Sequence, residues 1–97
     1  MLELTDETLQ DFVKAGPCLL LFSTSWCPMC PAVREIFAAL KGVRCAQLCY
    51  DDCPEAVRLH EVPGVPTVVA LREGARLVLP GFRPKEHYTA LAAQLLA

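Results

Sequence analysis

Residues 18–31, with the sequence CLLLFSTSWCPMCP, join an apolar run to a closely spaced pair of cysteines. The run from Cys18 to Phe22 has the length and composition of a strand that is covered on both faces of a sheet. Two residues separate Cys27 from Cys30, so their sulfur atoms can meet across the first turn of a helix and form a small disulfide ring. We therefore predict a central strand that passes directly into a helix carrying a dithiol.

The predicted position of Cys27 indicates a reactive thiol. At a helix N-terminus, unpaired backbone N–H groups and the helix dipole stabilise a thiolate, which is the form that attacks disulfides. Two cysteines at this spacing, at a strand-to-helix junction, are typical of redox-active pairs. The sequence thus predicts disulfide exchange, in which Cys27 attacks and Cys30, one turn further along, displaces the product.

Composition and charge limit the class of protein. The chain has 97 residues, 54% hydrophobic and 21% charged, which indicates one globular domain over residues 1–97. The formal net charge is -2 and the nine Lys and Arg residues are scattered, so we expect no nucleic-acid partner. No apolar stretch approaches the roughly 18 to 20 residues that cross a bilayer. The first residues lack the basic and apolar regions of an export signal. We expect a cytoplasmic monomer that does not bind membranes.

Apolar spacing and turn residues predict the remaining elements. Helices are expected from Thr5 to the Gly16-Pro17 stop, over Cys27–Leu40, from Pro54 to about His60, and from about Pro84 to Leu96. The last helix is predicted from its apolar stripe of Tyr88, Leu91, Leu95 and Leu96. Strands are expected over Cys18–Phe22, Val43–Tyr50, Thr67–Leu71 and Arg76–Leu79, with residues 72–75 as a hairpin connection. With a first strand before the first helix, the order is β-α-β-α-β-α-β-β-α.

This order and two motifs resemble the thioredoxin family over essentially the whole chain. The segment Trp26–Cys30 looks like the family's Trp-Cys-x-x-Cys, and Val65-Pro66-Thr67 is similar to its cis-proline loop. Gly74 and Gly81 resemble the glycines of the family's hairpin and substrate groove. The resemblance implies a single-domain α/β thioredoxin fold, with a central mixed sheet flanked by helices.

The resemblance also implies a function and a set of site residues. The chain would be a thiol-disulfide oxidoreductase with Cys27 as nucleophile, Cys30 as resolving thiol and no metal or organic cofactor. Its substrates would be protein or small-molecule disulfides, and its electrons would come from a flavoprotein reductase, with glutathione as the competing donor. Substrate would contact Trp26, Pro28, Met29, Val65, Pro66 and Gly81. The alternative for Pro66 is that it only begins a strand.

Two departures from the family pattern concern the dithiol. Leu21 stands where thioredoxins usually have a buried acid, and Gln47 stands where they have its partner lysine. Without that proton acceptor, release of the mixed disulfide would slow or depend on water or substrate. Pro28-Met29 replaces the usual Gly-Pro and is similar to the Pro-x of glutaredoxins and DsbA-type oxidases. We hypothesise a pair that is more oxidising than the family's value of about -270 mV.

The other four cysteines leave alternatives open. Cys18 is expected to be a small core residue. Cys45 and Cys49 lie about 13 Å apart along an extended strand, too far for a disulfide. A turn after Cys49 brings Cys53 within reach, and Cys53 at a helix start is expected to have some thiolate character. These two are either inert or a regulatory disulfide, as the resemblance of Asp-Asp-Cys to animal thioredoxins suggests.

Six cysteines also permit other uses. A framework of up to three disulfides is disfavoured by the missing export signal, and a four-thiolate zinc site that includes Cys27 and Cys30 is a further alternative. His60 and His87 are expected at the surface or at helix ends rather than as ligands. Two other functions remain as alternatives: a non-catalytic thioredoxin-fold binding or redox-sensing module, and a glutathione-dependent glutaredoxin-like enzyme.

Overall fold

The apolar run at Cys18 forms the central strand of a five-stranded sheet in the computed structural model, which describes residues 1–97. The strands are β1 Leu2–Leu4, β2 Cys18–Ser23, β3 Arg44–Cys49, β4 Thr67–Arg72 and β5 Ala75–Pro80. The helices are α1 Leu9–Lys14, α2 Cys30–Ala39, α3 Pro54–Leu59 and α4 Lys85–Leu96. The predicted element order and α/β fold are therefore confirmed.

The sheet is mixed, with strand order β1-β3-β2-β4-β5. β3 pairs in parallel with both β1 and β2, whereas β4 pairs antiparallel with β2 and β5. The carboxyl ends of β2 and β3 therefore lie at the same edge of the sheet, where the start of β4 joins them. This edge carries the segment that contains Cys27 and Cys30.

Side chains of β2 point alternately into two hydrophobic clusters, one on each face of the sheet. Leu20 and Phe22 belong to the cluster that also contains Leu9 of α1 and Ala56 of α3. The other cluster, on the opposite face, contains Leu19, Leu21, Val33, Phe37, Tyr88, Leu91, Ala92 and Leu95. Because α1 and α3 cover one face and α2 and α4 the other, all six residues of β2 are buried, which explains the continuous apolar run.

The first helix begins later than predicted. α1 begins at Leu9 rather than Thr5. The backbone N–H groups of Thr8 and Leu9 donate to the Thr5 carbonyl, and the Thr5 N–H donates to Thr8 Oγ1 at 2.8 Å. Thr5 thus opens a hydrogen-bonded turn that precedes the helix, and its predicted role as the helix cap was wrong.

Most other predicted boundaries agree with the structure to within one residue. The hairpin is tighter than expected, because Arg72 and Ala75 pair as strand residues and leave only Glu73-Gly74 as the connection. Gly74, the second residue of this connection, has φ +75°, a conformation that glycine adopts without steric cost. In α4, Leu96 is 55% exposed and Ala92 is buried instead, so the predicted apolar stripe was wrong at its last position.

Two helix ends are completed by side chains from distant parts of the chain. The Asp6 carboxylate, just after β1, accepts hydrogen bonds from the backbone N–H groups of Glu55 and Ala56 at 3.1 and 2.9 Å. The Arg72 guanidinium donates to the carbonyls of Gln94 and Ala97, both at 2.8 Å. Each contact provides a partner for backbone groups that have none within the helix. The negative charge lies at a helix N-terminus and the positive charge at a helix C-terminus, as the helix dipole favours.

Candidate active site

The two cysteines of the Trp26–Cys30 segment form a disulfide bond at the end of β2. Their Cα atoms are 5.5 Å apart, within the usual range for bonded cysteines. Cys27 is 5% exposed, whereas Cys30 is fully buried under the first turn of α2. The spacing therefore produces the predicted small disulfide ring, in which only Cys27 can be reached from solvent.

The helix that carries the dithiol begins at Cys30, so the prediction that it begins at Cys27 was wrong. The Cys27 N–H donates to the Thr24 carbonyl at 3.4 Å in a tight turn, and the Met29 carbonyl accepts the first α-helical bond from Val33. Pro31 is tolerated in this first turn because its missing N–H would have no intrahelical partner. The Cys27 sulfur still lies at the helix N-terminus, since it is bonded to the Cys30 sulfur.

The Val65–Pro66 loop meets the dithiol segment at the same edge of the sheet. The Val65–Pro66 peptide bond is cis, as the resemblance implied, and Pro66 is followed directly by β4. Phe22 and Thr67 are register partners, which brings the cis-proline loop beside the end of β2. The Pro66 carbonyl accepts a hydrogen bond from the Gly81 N–H at 2.8 Å, so Gly81 belongs to this edge as well.

Exposed apolar side chains on the dithiol segment and after Gly81, here called the apolar rim, belong to this edge of the sheet. Trp26 is 67% exposed, and its indole N–H donates to Asp51 Oδ2 at 3.3 Å. Pro28 and Met29 are also exposed. Phe82, which follows Gly81, adds a further exposed aromatic ring. The sequence analysis missed Phe82, although an aromatic residue directly after a groove glycine is a detectable signal.

The space between the dithiol helix and the sheet contains polar side chains, but none of them is a carboxylate. Leu21 is fully buried and is the register partner of Gln47. Gln47 Oε1 accepts hydrogen bonds from Ser23 Oγ and Arg34 Nη1, both at 3.4 Å. Ser23 and Arg34 were not identified from the sequence, because neither belongs to a motif and their meeting at Gln47 depends on packing.

Four cysteines are free thiols: Cys18, Cys45, Cys49 and Cys53. Cys18 is fully buried in the core, as predicted. Burial raises the pKa of Cys45 to about 11. Burial, followed by the nearby Asp6 carboxylate, also raises the pKa of Cys53. The expectation of thiolate character at Cys53 was therefore wrong: the acid that caps α3 disfavours a second negative charge beside it.

The two histidines lie in different environments. His87 is exposed on α4. His60 follows α3 but is only 6% exposed, with its ring edge-on to Phe22 at 6.5 Å between centroids. Neither ring nitrogen has a hydrogen-bond partner. Burial, with a smaller contribution from Arg76, lowers the pKa of His60. The sequence predicted that each histidine lies at the surface or at a helix end. His60 lies at a helix end and is buried.

No group of three or more His, Cys, Asp or Glu side chains is arranged to hold a metal ion. None of the helices combines the length and the apolar character that a membrane span requires.

A disulfide that opens and closes beside a cis-proline loop is the working part of a thiol-disulfide oxidoreductase, and the sheet and helices around it have the thioredoxin fold. The thioredoxin family model matches residues 1–94, and the chain belongs to that family. Thioredoxins typically work through a redox-active disulfide without a cofactor, and they generally act on protein disulfides together with a reductase.

Individual thioredoxins are distant in sequence and close in fold. The chain is 26% identical to the thioredoxin of Staphylococcus saprophyticus and 28% identical to that of Staphylococcus aureus strain Mu50, over 93 residues that cover 90% of this chain and 89% of each relative. A mutant thioredoxin from Halobacterium salinarum superposes with a TM-score of 0.86 at 20% identity, covering 99% of this chain and 90% of that one. Thioredoxin O2 from Arabidopsis thaliana gives 0.84 at 16% identity, covering 99% and 94%.

Proposed function

We propose that this protein reduces or exchanges disulfides of other proteins, with Cys27 as the nucleophile and Cys30 as the resolving thiol. The observation that supports these roles is the difference in exposure: Cys27 retains 5% of its surface, and Cys30 none. The attacking thiolate must line up with the S–S axis of the substrate disulfide, so only the accessible cysteine can form the first mixed disulfide.

The exchange proceeds in two balanced steps. The Cys27 thiolate attacks one sulfur of the substrate disulfide, which forms a Cys27–substrate disulfide and releases the other substrate sulfur as a thiolate that takes up a proton. Cys30 then loses its proton and attacks the Cys27 sulfur, which closes the Cys27–Cys30 disulfide and releases the second substrate thiol. Two electrons pass from the protein to the substrate, and a flavoprotein reductase or two glutathione molecules return them.

The substrate is an extended peptide that lies across the apolar rim. Trp26, Pro28 and Met29 supply contact surface next to Cys27, and the half-buried Val65 offers its backbone at the end of a strand, where a peptide can add by main-chain hydrogen bonds. Gly81 leaves room beside this backbone, since a Cβ built there would have no heavy atom within 4 Å. The exposed ring of Phe82 extends the same surface.

The dithiol of this protein is more oxidising than the family value of about -270 mV. Met29 is exposed and apolar next to Cys27, and Pro28 keeps no N–H. No carboxylate lies on β2 beneath the pair, because Leu21 occupies that position. A cytoplasmic location is part of the proposal, with a reductase as the preferred donor over glutathione.

The first experiment measures the Cys27/Cys30 potential in a variant with Cys18, Cys45, Cys49 and Cys53 changed to serine. Trp26 fluorescence is followed across glutathione redox buffers. A reversible two-electron transition above about -270 mV is expected, and a value at or below it overturns the oxidising assignment. Absence of any transition, with both thiols free by mass analysis or with stoichiometric zinc bound, overturns the oxidoreductase and favours a binding module.

The roles of the two thiols are tested by trapping. Cys30→Ser is expected to accumulate a covalent complex with a disulfide-containing peptide, while Cys27→Ser, its matched control, forms none. Equal trapping by both variants contradicts the assigned roles. Turnover with thioredoxin reductase and NADPH, compared with turnover in glutathione alone, identifies the donor, and a Cys27–glutathione adduct with turnover supports the glutaredoxin-like alternative.

A further inference from the structure

Three polar side chains from three different elements meet at one acceptor beneath the dithiol helix. Gln47 on β3 receives hydrogen bonds from Ser23, the last residue of β2, and from Arg34 on α2. Both donors lie 3.4 Å from the same oxygen, Gln47 Oε1. A guanidinium on the helix is thereby tied to the edge of the sheet that carries the dithiol.

Arg34 lies one helical turn after Cys30 on α2. The two residues are four positions apart on α2, so they share one face of the helix and their Cα atoms are separated by about 6 Å along its axis. Side chains of a helix tilt toward its N-terminus, which favours coverage of the turn that begins with Cys30, and Arg34 also lines a surface cavity with Phe37 and Cys45. The hydrogen bond to Gln47 limits how far the guanidinium can move away toward solvent.

The positive charge of Arg34 has no carboxylate partner. The one ion pair in the structure joins Arg58 to Glu55 on α3. On the facing strands, Leu21 is apolar, and Cys45, which lines the same surface cavity as Arg34, remains protonated because burial raises its pKa to about 11. Glu3 on β1, the register partner of Gln47, is an exposed acid on the same face of the sheet but forms no ion pair with Arg34. The half-buried guanidinium is therefore a positive charge on α2 without an ion-pair partner, one helical turn after Cys30.

We infer that Arg34 is a positioning residue that stabilises the thiolate of the reduced Cys27/Cys30 pair and so makes the pair more oxidising. The inference rests on the proposed dithiol cycle and extends it, since this chain has Leu21 at the family's buried-acid position and a cation, Arg34, on the facing helix. The disulfide carries no charge, whereas reduction leaves one thiolate and one thiol. A nearby cation therefore favours the reduced form, and the pair accepts electrons more readily.

Exchange with glutathione measures how strongly Arg34 favours the reduced pair. Two glutathione thiols are oxidised to glutathione disulfide and give two electrons to the Cys27–Cys30 bond. Of the two protons released, one remains on Cys30 and the other goes to solvent when Cys27 stays a thiolate. A variant that lacks the Arg34 charge loses stabilisation of the thiolate only, so its equilibrium shifts toward the disulfide.

The test compares Arg34→Gln with Lys41→Gln in the variant whose other four cysteines are serine. Both substitutions remove one positive charge, but Lys41 lies two residues beyond the opposite end of α2, about 10 Å further along the helix axis than Arg34. Arg34→Gln is expected to shift the equilibrium constant with glutathione toward the disulfide by about three- to tenfold, which is about 14 to 30 mV. Lys41→Gln is expected to remain within twofold of the parent, and Arg34→Lys to retain most of the parent value.

A second readout separates electrostatics from structure. The rate at which iodoacetamide alkylates reduced Cys27 is followed against pH, and Arg34→Gln is expected to move the midpoint of this profile upward. An unchanged equilibrium constant and an unchanged profile in Arg34→Gln overturn the inference. If the parent itself shows no redox transition, the proposed function fails instead, so the two failures are distinguishable.

Gln47→Glu provides an independent variant if Arg34→Gln does not fold. A carboxylate at this position pairs with the guanidinium and cancels its charge without removing it. The equilibrium is then expected to move in the same direction as in Arg34→Gln, and 1 M salt, which screens the charges, is expected to reduce the difference from the parent. A more oxidising Gln47→Glu variant contradicts the role of the Arg34 charge.

Discussion

Leu21 and Gln47 are register partners on the adjacent parallel strands β2 and β3, and together they replace the acid and lysine of the family pattern beneath the dithiol. Leu21 is fully buried among apolar side chains, while Gln47 is hydrogen-bonded to Ser23 and Arg34. Proton transfer from Cys30 therefore has no carboxylate on β2 to receive the proton. We therefore expect slower release of the mixed disulfide, or proton transfer to water or substrate.

Restoring an acid at Leu21 is expected to speed resolution and to weaken the fold. Leu21→Asp supplies a proton acceptor for Cys30, and general base catalysis typically contributes a factor of about 100 or more when geometry is favourable. Burying the carboxyl group in this cluster costs about 2 kcal/mol or more. Stopped-flow measurement of mixed-disulfide release gives the rate, and urea unfolding gives the stability.

Leu21→Asn is the matched control for that substitution. It has the same shape and a similar cost of burial but accepts no proton at neutral pH. Equal acceleration by Leu21→Asn and Leu21→Asp would show that the effect comes from loosened packing rather than from proton transfer.

Below neutral pH, His60 is expected to make the fold less stable. Burial lowers its pKa in the folded protein, from 6.5 when unperturbed. The unfolded chain therefore binds a proton at a pH where the folded protein does not, so stability falls as pH drops below about 6.5 and until the folded pKa is passed. Urea unfolding at pH 7.5 and 5.5 measures this loss, which His60→Leu is expected to reduce.

The exposed histidine on α4 serves as the control for this pH effect. His87→Gln is expected to leave the pH dependence of unfolding unchanged. At pH 7.5, His60→Leu is expected to stay within about 1 kcal/mol of the parent, because the buried imidazole nitrogens have no hydrogen bonds to lose. If the pH dependence of unfolding persisted in His60→Leu, groups other than His60 would be its cause.

Removing the Asp6 carboxylate is expected to destabilise the protein by about 1 to 2 kcal/mol. Asp6 accepts two backbone N–H groups at the start of α3 and belongs to the loop after β1, so Asp6→Ala leaves both donors without this partner. Urea unfolding measures the change. Asp6→Asn keeps an acceptor oxygen and is expected to lose less, while Glu7→Ala, an exposed neighbour, is expected to change little. Similar losses in Asp6→Ala and Glu7→Ala would refute the capping role.

Mild oxidation is expected to join Cys27 to Cys30 and to leave Cys49 and Cys53 as free thiols. Cys53 is 2% exposed, and its raised pKa keeps the reactive thiolate scarce at neutral pH. Diamide treatment at pH 7 followed by peptide mapping tests this, with the protein in 6 M urea as the control in which all thiols react. A Cys49–Cys53 disulfide formed in the folded protein would support the regulatory alternative instead.

The features that follow from near neighbours in the chain were accessible from the sequence. The cis bond before Pro66 was implied by the family resemblance of its loop. The strand at Cys18 and the disulfide-forming spacing of Cys27 and Cys30 each depend on a few consecutive residues. Backbone preferences and side-chain periodicity are local properties, so these features can be predicted without knowledge of the packing. The order of these elements then leaves few topologies for one small domain.

The features that depend on residues far apart in the chain required the tertiary structure. Asp6 caps a helix that begins at Pro54, and its carboxylate adds to burial in disfavouring a thiolate at Cys53. Arg34 and Gln47 meet only because α2 packs over β3. Such contacts arise from the folding of elements onto one another, and the hydrogen bonds and charge effects change within a few ångströms. Local patterns therefore specified the dithiol and the sheet. Packing decided the charge environment of the dithiol and the protonation of the remaining thiols.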